Sequence, residues 1–280
     1  MDAQRRLELR RLAERARMGI IEGVFHAKSG HPGGSLSSAD LLTYLYFEQM
    51  RIDTKNSKWE GRDRFVLSKG HVAPGLYAVL ALRGFFPVEA LKTLRKNGSF
   101  LQGHPSMKLT PGVDMSTGSL GQGISAAAGI ALGAKLAGQD IVTYALLGDG
   151  EIQEGQVWEA AMFAAAKGLD HLIAIVDNNN LQIDGAVAEV NSPYPIPEKF
   201  AAFGWNTIEA DAHDFDALEA AFTQAKAFNG KPSVIIMKSI KGKGVSFMED
   251  QAAWHGTAPN AEQYTAAMQE IEARLAALAK

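Results

Sequence analysis

The stretch IVTYALLGDG at residues 141–150 decides the fold of this chain, together with LIAIVDNNN at residues 172–180. Each is an apolar run of strand length that ends in small and polar residues. A helical pattern at residues 155–167 separates them, and the order strand, helix, strand favours a parallel pair. Because parallel strands present their carboxyl ends at one edge of a sheet, Asp149 and Asn179 should lie close together.

The same alternation of strands and helices runs through most of the chain. Strands are predicted at residues 64–68, 141–147, 171–177, 205–209 and 233–239. Helices are predicted at residues 4–28, 37–49, 74–82, 91–96, 120–136, 155–167, 195–203, 215–228 and 260–280. This order predicts an α/β fold with a mainly parallel sheet between two helical layers, a three-layer α/β/α sandwich.

Two segments ahead of the central strands have unusual compositions. Residues 97–118 are punctuated by Gly, Pro and Thr, which predicts a long loop of the kind that is usually functional or disordered. The helix predicted at residues 120–136 has almost no charge, so it should be buried. It could pack against another subunit or domain, or it could belong to the core of this chain.

The composition excludes several classes of function. The chain is 46% hydrophobic and 21% charged, and its net charge of −3 offers no basic field to nucleic acid or to an anionic membrane. It has no cysteine, which excludes disulfides, thiolate metal sites and a cysteine nucleophile. The N-terminus mixes acidic and basic residues and predicts no signal peptide, and the apolar runs are too short to cross a bilayer. We therefore expect a cytoplasmic protein.

The two strand ends offer the hard oxygen ligands that Mg²⁺ prefers. Asp149 supplies a carboxylate, Asn179 a neutral side-chain oxygen, and the backbone carbonyl of Leu181 could complete the protein's share. Gly148 and Gly150 let the backbone approach a diphosphate closely. Taken alone, this motif could be an ordinary turn with an aspartate helix cap. The asparagine cluster at the next strand end favours the metal site.

Histidines beside glycine in predicted loops form a second set of candidates: His31, His71, His104 and His255. A single loop histidine is more often a surface residue, but four such loops suggest a shared pocket. Histidine has an ordinary pKa that permits proton transfer near neutrality, and it donates well to phosphate and to sugar hydroxyls. Two further histidines, His171 and His213, lie on segments predicted to be at the surface.

These motifs together resemble those of the transketolase family, in its N-terminal, diphosphate-binding half. The resemblance spans residues 11–259. The motifs that carry it are SGHPG at 29–33, SKGH at 68–71, GHP at 103–105, PGV at 111–113, TGSLGQG at 117–123, GDGEIQEG at 148–155, DNN at 177–179, IDG at 183–185, KGKG at 241–244 and HG at 255–256. Their number and order argue against a chance resemblance.

The resemblance implies thiamine diphosphate as the cofactor, bound through Mg²⁺ or through Ca²⁺ or another divalent cation. It implies that residues 1–280 are one diphosphate- and metal-binding domain of the thiamine-diphosphate-binding fold, with a C-terminal helical extension. The residues it assigns to the metal are Asp149, Asn179 and Leu181, the last through its carbonyl. The residues it assigns to the cofactor are His71, Gly118, Ser119, Leu120, Gly150, Asn179 and His255.

The resemblance also implies a substrate channel lined by His31, His104 and His255. His104 would hold the donor's terminal hydroxyl, and His31 with His255 would serve the C3 hydroxyl whose proton must leave. Glu154 would join a polar network between paired active sites, and the alternative from local sequence is a solvated carboxylate at a helix start. The implied reaction transfers a two-carbon ketol unit from a ketose phosphate to an aldose phosphate.

The family activates its cofactor with a glutamate on a second, pyrimidine-binding domain, which the resemblance does not cover in this chain. We therefore expect a split transketolase, active only with a C-terminal subunit that carries that domain, in an assembly of two copies of each chain. Its ketose could be an unusual one, branched or sulfonated. The alternatives are a subunit of another thiamine-diphosphate enzyme, such as a 2-oxo acid dehydrogenase or a deoxyxylulose-phosphate synthase, and a non-catalytic cofactor-binding module. The histidine loops argue against the oxo acid dehydrogenase, and the complete set of metal ligands and channel histidines argues against the module.

Overall fold

A five-stranded sheet lies at the centre of the computed structural model, which describes residues 1–279. The strands are β1 Arg64–Leu67, β2 Thr143–Gly148, β3 Leu172–Asn178, β4 Leu181–Gln182, β5 Gly185–Ala186, β6 Asn206–Asp211 and β7 Ser233–Lys238. The order across the sheet is β1-β2-β3-β7-β6, and every neighbouring pair is parallel. β4 and β5 form a small separate hairpin. The predicted parallel sheet is confirmed.

Helices cover both faces of this sheet. They are α1 Ala3–Ala27, α2 Pro32–Ser37, α3 Ala39–Tyr44, α4 Ala73–Arg83, α5 Gln122–Leu136, α6 Gly155–Ala166, α7 Val187–Asn191, α8 Ile196–Ala202, α9 Phe215–Ala227 and α10 Ala261–Ala277. Short 3₁₀ segments lie at Gly70–Val72, Val88–Thr93, Glu151–Gln153 and Ala252–Trp254, and a π-helical turn at Leu45–Gln49.

The predicted helix at residues 37–49 is wrong in its start and in its continuity. The helical region begins earlier, at Pro32, and is divided into α2, α3 and the π-helical turn. The hydroxyl of Ser38 donates to the carbonyl of Gly34 at 2.9 Å, and that of Ser37 lies 3.0 Å from the same carbonyl and donates to the carboxylate of Asp177. Such local side-chain bonds compete with the hydrogen bonds of a continuous helix, which explains the division.

The predicted helix at residues 91–96 is also displaced, because the structure has a 3₁₀ segment at Val88–Thr93 instead. The chain cannot continue as a helix beyond this segment, since Arg95 has a left-handed backbone with a φ of 58°. α7 was not predicted at all, because five residues are too few to show a helical period.

Alternate residues of the central strands serve two separate cores, as the pleat of a strand requires. Tyr144 and Leu146 of β2 face the layer that contains α1, α3, α4, α9 and α10. Ala145 and Leu147 face the layer of α5, α6 and α8. This burial on both faces explains why the strands are continuous apolar runs, and it confirms the α/β/α sandwich.

The structure answers the predictions for residues 97–118 and for the helix at residues 120–136 differently. Residues 97–118 run as turns and bends, and this loop is held in place by the Tyr77 hydroxyl, whose single proton lies between the carbonyls of Gln102 and His104, at oxygen–oxygen distances of 2.9 and 3.1 Å. α5 buries only one face against the sheet, while Gly129, Gly133 and Leu136 on its other face are exposed in this chain. One face of α5 therefore belongs to the core of this chain. Packing of its other face against another subunit or domain stays a prediction.

None of the helices within residues 1–279 combines the length and the apolar character that crossing a bilayer requires.

Candidate active site

A cavity of about 380 Å³ opens at the carboxyl ends of β2 and β3. The predicted site residues that line it are His31, His71, Gly118, Leu120, Asp149, Gly150, Glu154, Asn179, Leu181 and His255. The common edge of the parallel strands brings them together, as the sequence predicts. Ser119 and His104 are not among the lining residues. His104 nevertheless lies close to the cavity, because its ring packs against Gly118, which lines it. A Cβ built on Gly118 would lie 3.2 Å from Cγ of His104.

Asp149 lies directly after β2 and is 2% exposed. Its Oδ1 accepts the backbone N–H of Gly150 at 2.9 Å, and its Oδ2 accepts that of Asn180 at 2.5 Å. Burial, and then the neighbouring carboxylate of Asp177, raise the pKa of Asp149 to about 7 despite these two donors. The groups around Asp149 therefore do not balance its negative charge fully, and a bound cation would supply the missing positive charge.

Asn179 and Leu181 place two further oxygens on the same turn. The side-chain Oδ1 of Asn179 accepts the backbone N–H of Leu181 at 3.2 Å, while its Nδ2 donates to Asp177 at 3.1 Å. The carbonyl of Leu181 accepts from the ammonium of Lys241 at 3.1 Å. Each oxygen has two lone pairs, so one donor does not prevent coordination of a metal.

A buried ion pair between Lys69 and Asp177 lies beneath the cavity, and sequence reasoning missed it. The ammonium of Lys69 is in direct contact with the Asp177 carboxylate, and both side chains are only 2% exposed. Asp177 also accepts from the hydroxyls of Ser37, at 2.6 Å, and Ser239. Burial raises the pKa of Asp177, but Lys69 and these donors outweigh burial and lower it to about 2. Asp177 is therefore held as a carboxylate that joins β3 to α2 and to the end of β7.

Lys241 is a second buried lysine at the cavity, and it too was missed as a site residue. Its ammonium donates to the Leu181 carbonyl and to Nδ1 of His255, both at 3.1 Å. Burial lowers the pKa of Lys241 to about 8, even though Asp177 and Asp149 act in the opposite direction. Asp177 neutralises Lys69, whereas the hydrogen-bond partners of Lys241 are neutral, so Lys241 is the buried positive charge that the cavity can offer to an anionic ligand.

Three of the four loop histidines meet in the cavity. The ring centroids of His31, His71 and His255 lie 5.1 to 5.5 Å apart in all three pairs. Burial is the largest cause that lowers the pKa of His31 to about 4 and that of His255 to about 3, and it lowers the pKa of His71 well below its usual value. All three rings are thus neutral at pH 7, and each offers one donor and one acceptor nitrogen.

Arg95 connects the two loops that carry His31 and His104, and sequence reasoning missed it as well. Its guanidinium donates to the Ser29 hydroxyl at 2.8 Å and lies 3.5 Å from Nδ1 of His31 and from the carbonyl of Gly103. After burial, the charge of Arg95 is the next cause that lowers the pKa of both histidines. A sequence signal for Arg95 would be hard to find, because its contacts with Ser29 and His31 are made across 66 and 64 positions of the chain.

Two glutamates follow Asp149 and have opposite surroundings. Glu151 is buried and accepts from the Ser68 hydroxyl and from the backbone N–H groups of Gly121 and Gly148, at 2.5, 3.0 and 3.0 Å. It therefore ties the loop before α5 to the end of β2. Glu154 is exposed at the start of α6, where its side chain makes no cap hydrogen bond.

The family model for the transketolase thiamine diphosphate binding domain matches residues 9–273, almost the whole described chain. The chain belongs to the transketolase family. It is 47% identical over 270 residues to the 6-deoxy-6-sulfo-D-fructose transketolase subunit SqwG of a Clostridium species, a match that covers 96% of this chain and 98% of that one. An apulose-4-phosphate transketolase subunit from Phocaeicola vulgatus is 43% identical, with 96% and 95% covered.

Solved transketolases share the fold of this family member. The Campylobacter jejuni enzyme superposes with a TM-score of 0.86 at 32% identity, covering 100% of this chain and 48% of that one. A Pichia stipitis transketolase in complex with sedoheptulose 7-phosphate gives 0.86 at 31% identity, covering 98% and 45%. The chain thus spans less than half the length of these transketolases and nearly the full length of the two subunits.

The residues of this transketolase-family chain fit a diphosphate held through a divalent cation. Within residues 1–279, no group of three or more His, Asp or Glu side chains is arranged to hold a metal ion. A cation at Asp149 would therefore complete its ligands with the oxygens of Asn179, Leu181 and a phosphate, the mixture that Mg²⁺ prefers. A side chain at position 150 would be crowded on one side, because a Cβ there would lie 3.1 Å from the side chain of Gln182.

Proposed function

We propose that this chain is the cofactor-binding subunit of a split transketolase, which transfers a two-carbon ketol unit from a ketose phosphate to an aldose phosphate. One observation carries the proposal. A buried, under-neutralised aspartate, two buried lysines and three adjacent neutral histidines line a single cavity at the strand ends. The same chain aligns along nearly its full length with two transketolase subunits.

The proposed metal ligands are the Asp149 carboxylate, Oδ1 of Asn179 and the carbonyl of Leu181. Mg²⁺ suits this set of hard oxygens, and Ca²⁺ or another divalent cation is the expected substitute. Gly150, His71, His255 and the two lysines would surround the diphosphate, and Gly118, Ser119 and Leu120 would adjoin the aminopyrimidine. Thiamine diphosphate supplies the carbanion chemistry when bound, and the protein supplies orientation and charge.

The proposed substrate residues are His31, His104 and His255. As neutral imidazoles, His31 and His255 can accept or donate at a donor hydroxyl without bringing a charge into the cavity. We propose that one of the two takes up the proton of the C3 hydroxyl and becomes an imidazolium in that step, and that His104 holds the terminal hydroxyl. Arg95 would keep His31 and His104 in place, through its contacts with Ser29 and His31 and with the carbonyl of Gly103.

The proposed partner is a C-terminal transketolase subunit with the pyrimidine-binding domain, in an assembly of two copies of each chain. The mouth of the cavity supports an interface there, because Leu120 and Ile183 line the cavity and are exposed large apolar side chains. Glu154 is exposed beside them and is free to enter a polar network with a neighbouring chain. Such a network would link paired active sites.

A specialised donor is the second candidate function. The two similar subunits are named for 6-deoxy-6-sulfo-D-fructose and for apulose 4-phosphate, a sulfonated sugar and an unusual sugar phosphate. We propose that this chain serves a common ketose phosphate, and that a sulfonated or branched ketose is the alternative to test beside it.

A two-carbon transfer assay tests the proposal. This chain would be assayed with thiamine diphosphate and Mg²⁺, alone and together with a candidate second subunit, over ketose phosphates and sulfonated and branched ketoses. Activity only in the mixture is the expected result, and the best donor then decides between the two candidates. Turnover by the rigorously purified single chain would contradict the split enzyme. Cofactor binding without turnover on any donor would favour a non-catalytic module.

A further inference from the structure

His213 lies outside the cavity and still makes two well-defined hydrogen bonds. It follows β6, and its ring bridges α3 to the segment after β7. Nδ1 lies 2.7 Å from Oδ2 of Asp40, and Nε2 accepts the backbone N–H of Ile240 at 3.0 Å. Because a backbone N–H can only donate, Nε2 must be unprotonated, and the ring proton must lie on Nδ1, where it donates to Asp40.

Asp40 is the fixed charge to which this histidine is attached. It is buried in α3 and is shared between His213 and the guanidinium of Arg17. Burial raises the pKa of Asp40, but the charge of Arg17 and the bonds from both partners lower it to about 2. The carboxylate therefore stays ionised and keeps accepting from His213 and from Arg17.

Arg17 extends the hydrogen-bond network of His213 and Asp40 to a second contact with the segment after β7. Its Nε donates to the carbonyl of Lys243 at 3.1 Å, and its terminal nitrogen contacts Glu14 at 3.2 Å. Glu14 in turn accepts Nε of Arg274 at 3.1 Å, and Arg274 also donates to the carbonyl of Gly244. The buried charges thus hold the main chain on both sides of Lys241.

The held segment, residues 239–244, has no helix or strand of its own to set its shape. Gly242 has a φ of 76°, and its N–H donates to the carbonyl of Gly33 at 2.9 Å, next to the loop that carries His31. Gly244 has a φ of 90°, and a Cβ there would lie 2.7 Å from Cδ of Arg17. The position of Lys241 therefore depends on these external contacts.

We propose that His213 is a positioning residue, which together with Asp40 and Arg17 fixes the segment that presents Lys241 to an anionic diphosphate. His213 does not line the cavity, so it acts through Ile240 and Lys241 and not on a substrate. The identity of the diphosphate rests on the proposed function, whereas the fixed tautomer and the held segment do not.

Two NMR measurements on the full chain without cofactor test the holding of the segment. The ¹⁵N shifts of His213 should show a protonated Nδ1 and an unprotonated Nε2. In His213→Leu, the amide of Ile240 should exchange with solvent about tenfold faster or more, since its acceptor is lost. A protonated Nε2 in the wild type, or an unchanged Ile240 amide in the variant, would overturn the proposal.

A double-mutant cycle tests the action through Lys241, with Mg²⁺ thiamine diphosphate and inorganic pyrophosphate as probes. His213→Leu should weaken binding about tenfold, while His213→Gln, whose amide oxygen can accept from Ile240, should lose less than about threefold. In the Lys241→Met background, His213→Leu should cost nothing more. Independent, additive losses would overturn the proposal, because His213 would then act without Lys241.

His171→Leu is the matched control for the cycle. His171 is also a loop histidine with a single backbone partner, the carbonyl of Ile141 at 3.2 Å, but it lies at the amino ends of the strands. Its loss should leave binding unchanged. Failure of the wild-type chain to bind either probe would count against the proposed cofactor site, and the NMR results would then decide the role of His213 separately.

Discussion

Asp63 and Asp149 lie at opposite ends of the same sheet, and each is 2% exposed. Asp63 precedes β1 and is paired with Arg51, and it accepts the backbone N–H groups of Arg51 and Val142, both at 2.9 Å. Asp149 follows β2 and has two backbone donors and a neighbouring carboxylate. The two aspartates are equally buried but unequally neutralised: Asp63 has a cationic partner in Arg51, and Asp149 is the aspartate that we propose to bind a cation.

The basic side chains at the two edges also differ, in how far they are exposed to solvent. At the amino edge, Arg51 is 46% exposed on the side chain and reaches the carboxylate from solvent. At the carboxyl edge, Lys69 and Lys241 are buried beneath an open cavity. Keeping such charges out of water is costly unless a ligand or partner compensates them. Asp177 compensates Lys69, but Lys241 has only neutral partners, so we propose that the carboxyl edge serves a charged ligand and the amino edge serves stability.

Replacing each aspartate separately with alanine should give the largest difference in cofactor affinity between the two edges. Asp149→Ala should weaken Mg²⁺-dependent binding of thiamine diphosphate by about 1000-fold, because the metal loses its charged protein ligand. Asp63→Ala should lower the free energy of unfolding and leave cofactor affinity within about twofold. Calorimetric titration of both variants checks this, and retained affinity in Asp149→Ala would show that the metal lies elsewhere.

The next largest effects are expected from removing one cationic side chain at each edge of the sheet. Lys69→Met should lower the free energy of unfolding by about 3 kcal/mol, since it leaves the Asp177 carboxylate buried and unpaired. Arg51→Met should cost less than about 1 kcal/mol, because its ion pair is partly exposed. Denaturant unfolding measures both. The double change Lys69→Met with Asp177→Asn should recover most of the loss, and equal effects of the two single changes would remove the contrast between the edges.

The pH dependence of stability should also separate the edges. The folded pKa of Asp149, about 7, lies above its unfolded value, so the protonated form is the one that folding favours. Its contribution is fully present below the unfolded pKa and is lost as the pH rises through about 7. The metal-free protein should lose about 2 kcal/mol between pH 5 and pH 7 from this group. Mg²⁺ or Asp149→Asn should flatten that slope, and an unchanged slope in the variant would assign it to another group.

The smallest expected effect concerns His104. His104→Ala should raise the KM for the donor ketose about tenfold and leave cofactor affinity nearly unchanged, as expected of a residue that holds a substrate hydroxyl. His171→Ala at the amino edge should change neither quantity. Steady-state kinetics of the two-chain enzyme measure the first effect, and a cofactor titration measures the second. Equal loss of cofactor affinity and donor use would make His104 a residue of the fold or of the cofactor site.

The sequence predicted the carboxyl edge well, because strand ends can be located from apolar runs. Asp149 and Asn179 were expected at neighbouring strand ends, and the structure brings them to one turn. The partners that set their charges were not expected, since pairs such as Lys69 and Asp177 are 108 positions apart. No local pattern records which distant side chain completes a buried charge.

Local backbone bonding explains most of the remaining differences. Serine hydroxyls divide the helix predicted at residues 37–49, and the left-handed Arg95 ends the segment predicted at residues 91–96. The conformation of Arg95 also points its guanidinium at the loops of His31 and His104, which the sequence did not reveal. His213, expected at the surface, is instead tied to the network of Asp40 and Arg17.

The most direct test is a crystal structure with thiamine diphosphate and Mn²⁺, together with the second subunit if binding requires it. We expect an anomalous Mn²⁺ peak within about 2.2 Å of the Asp149 carboxylate, Oδ1 of Asn179 and the Leu181 carbonyl. The diphosphate should lie against Lys241 and the cavity histidines. A Mn²⁺ peak at another site, or a diphosphate bound away from Lys241, would contradict the proposed metal and diphosphate site.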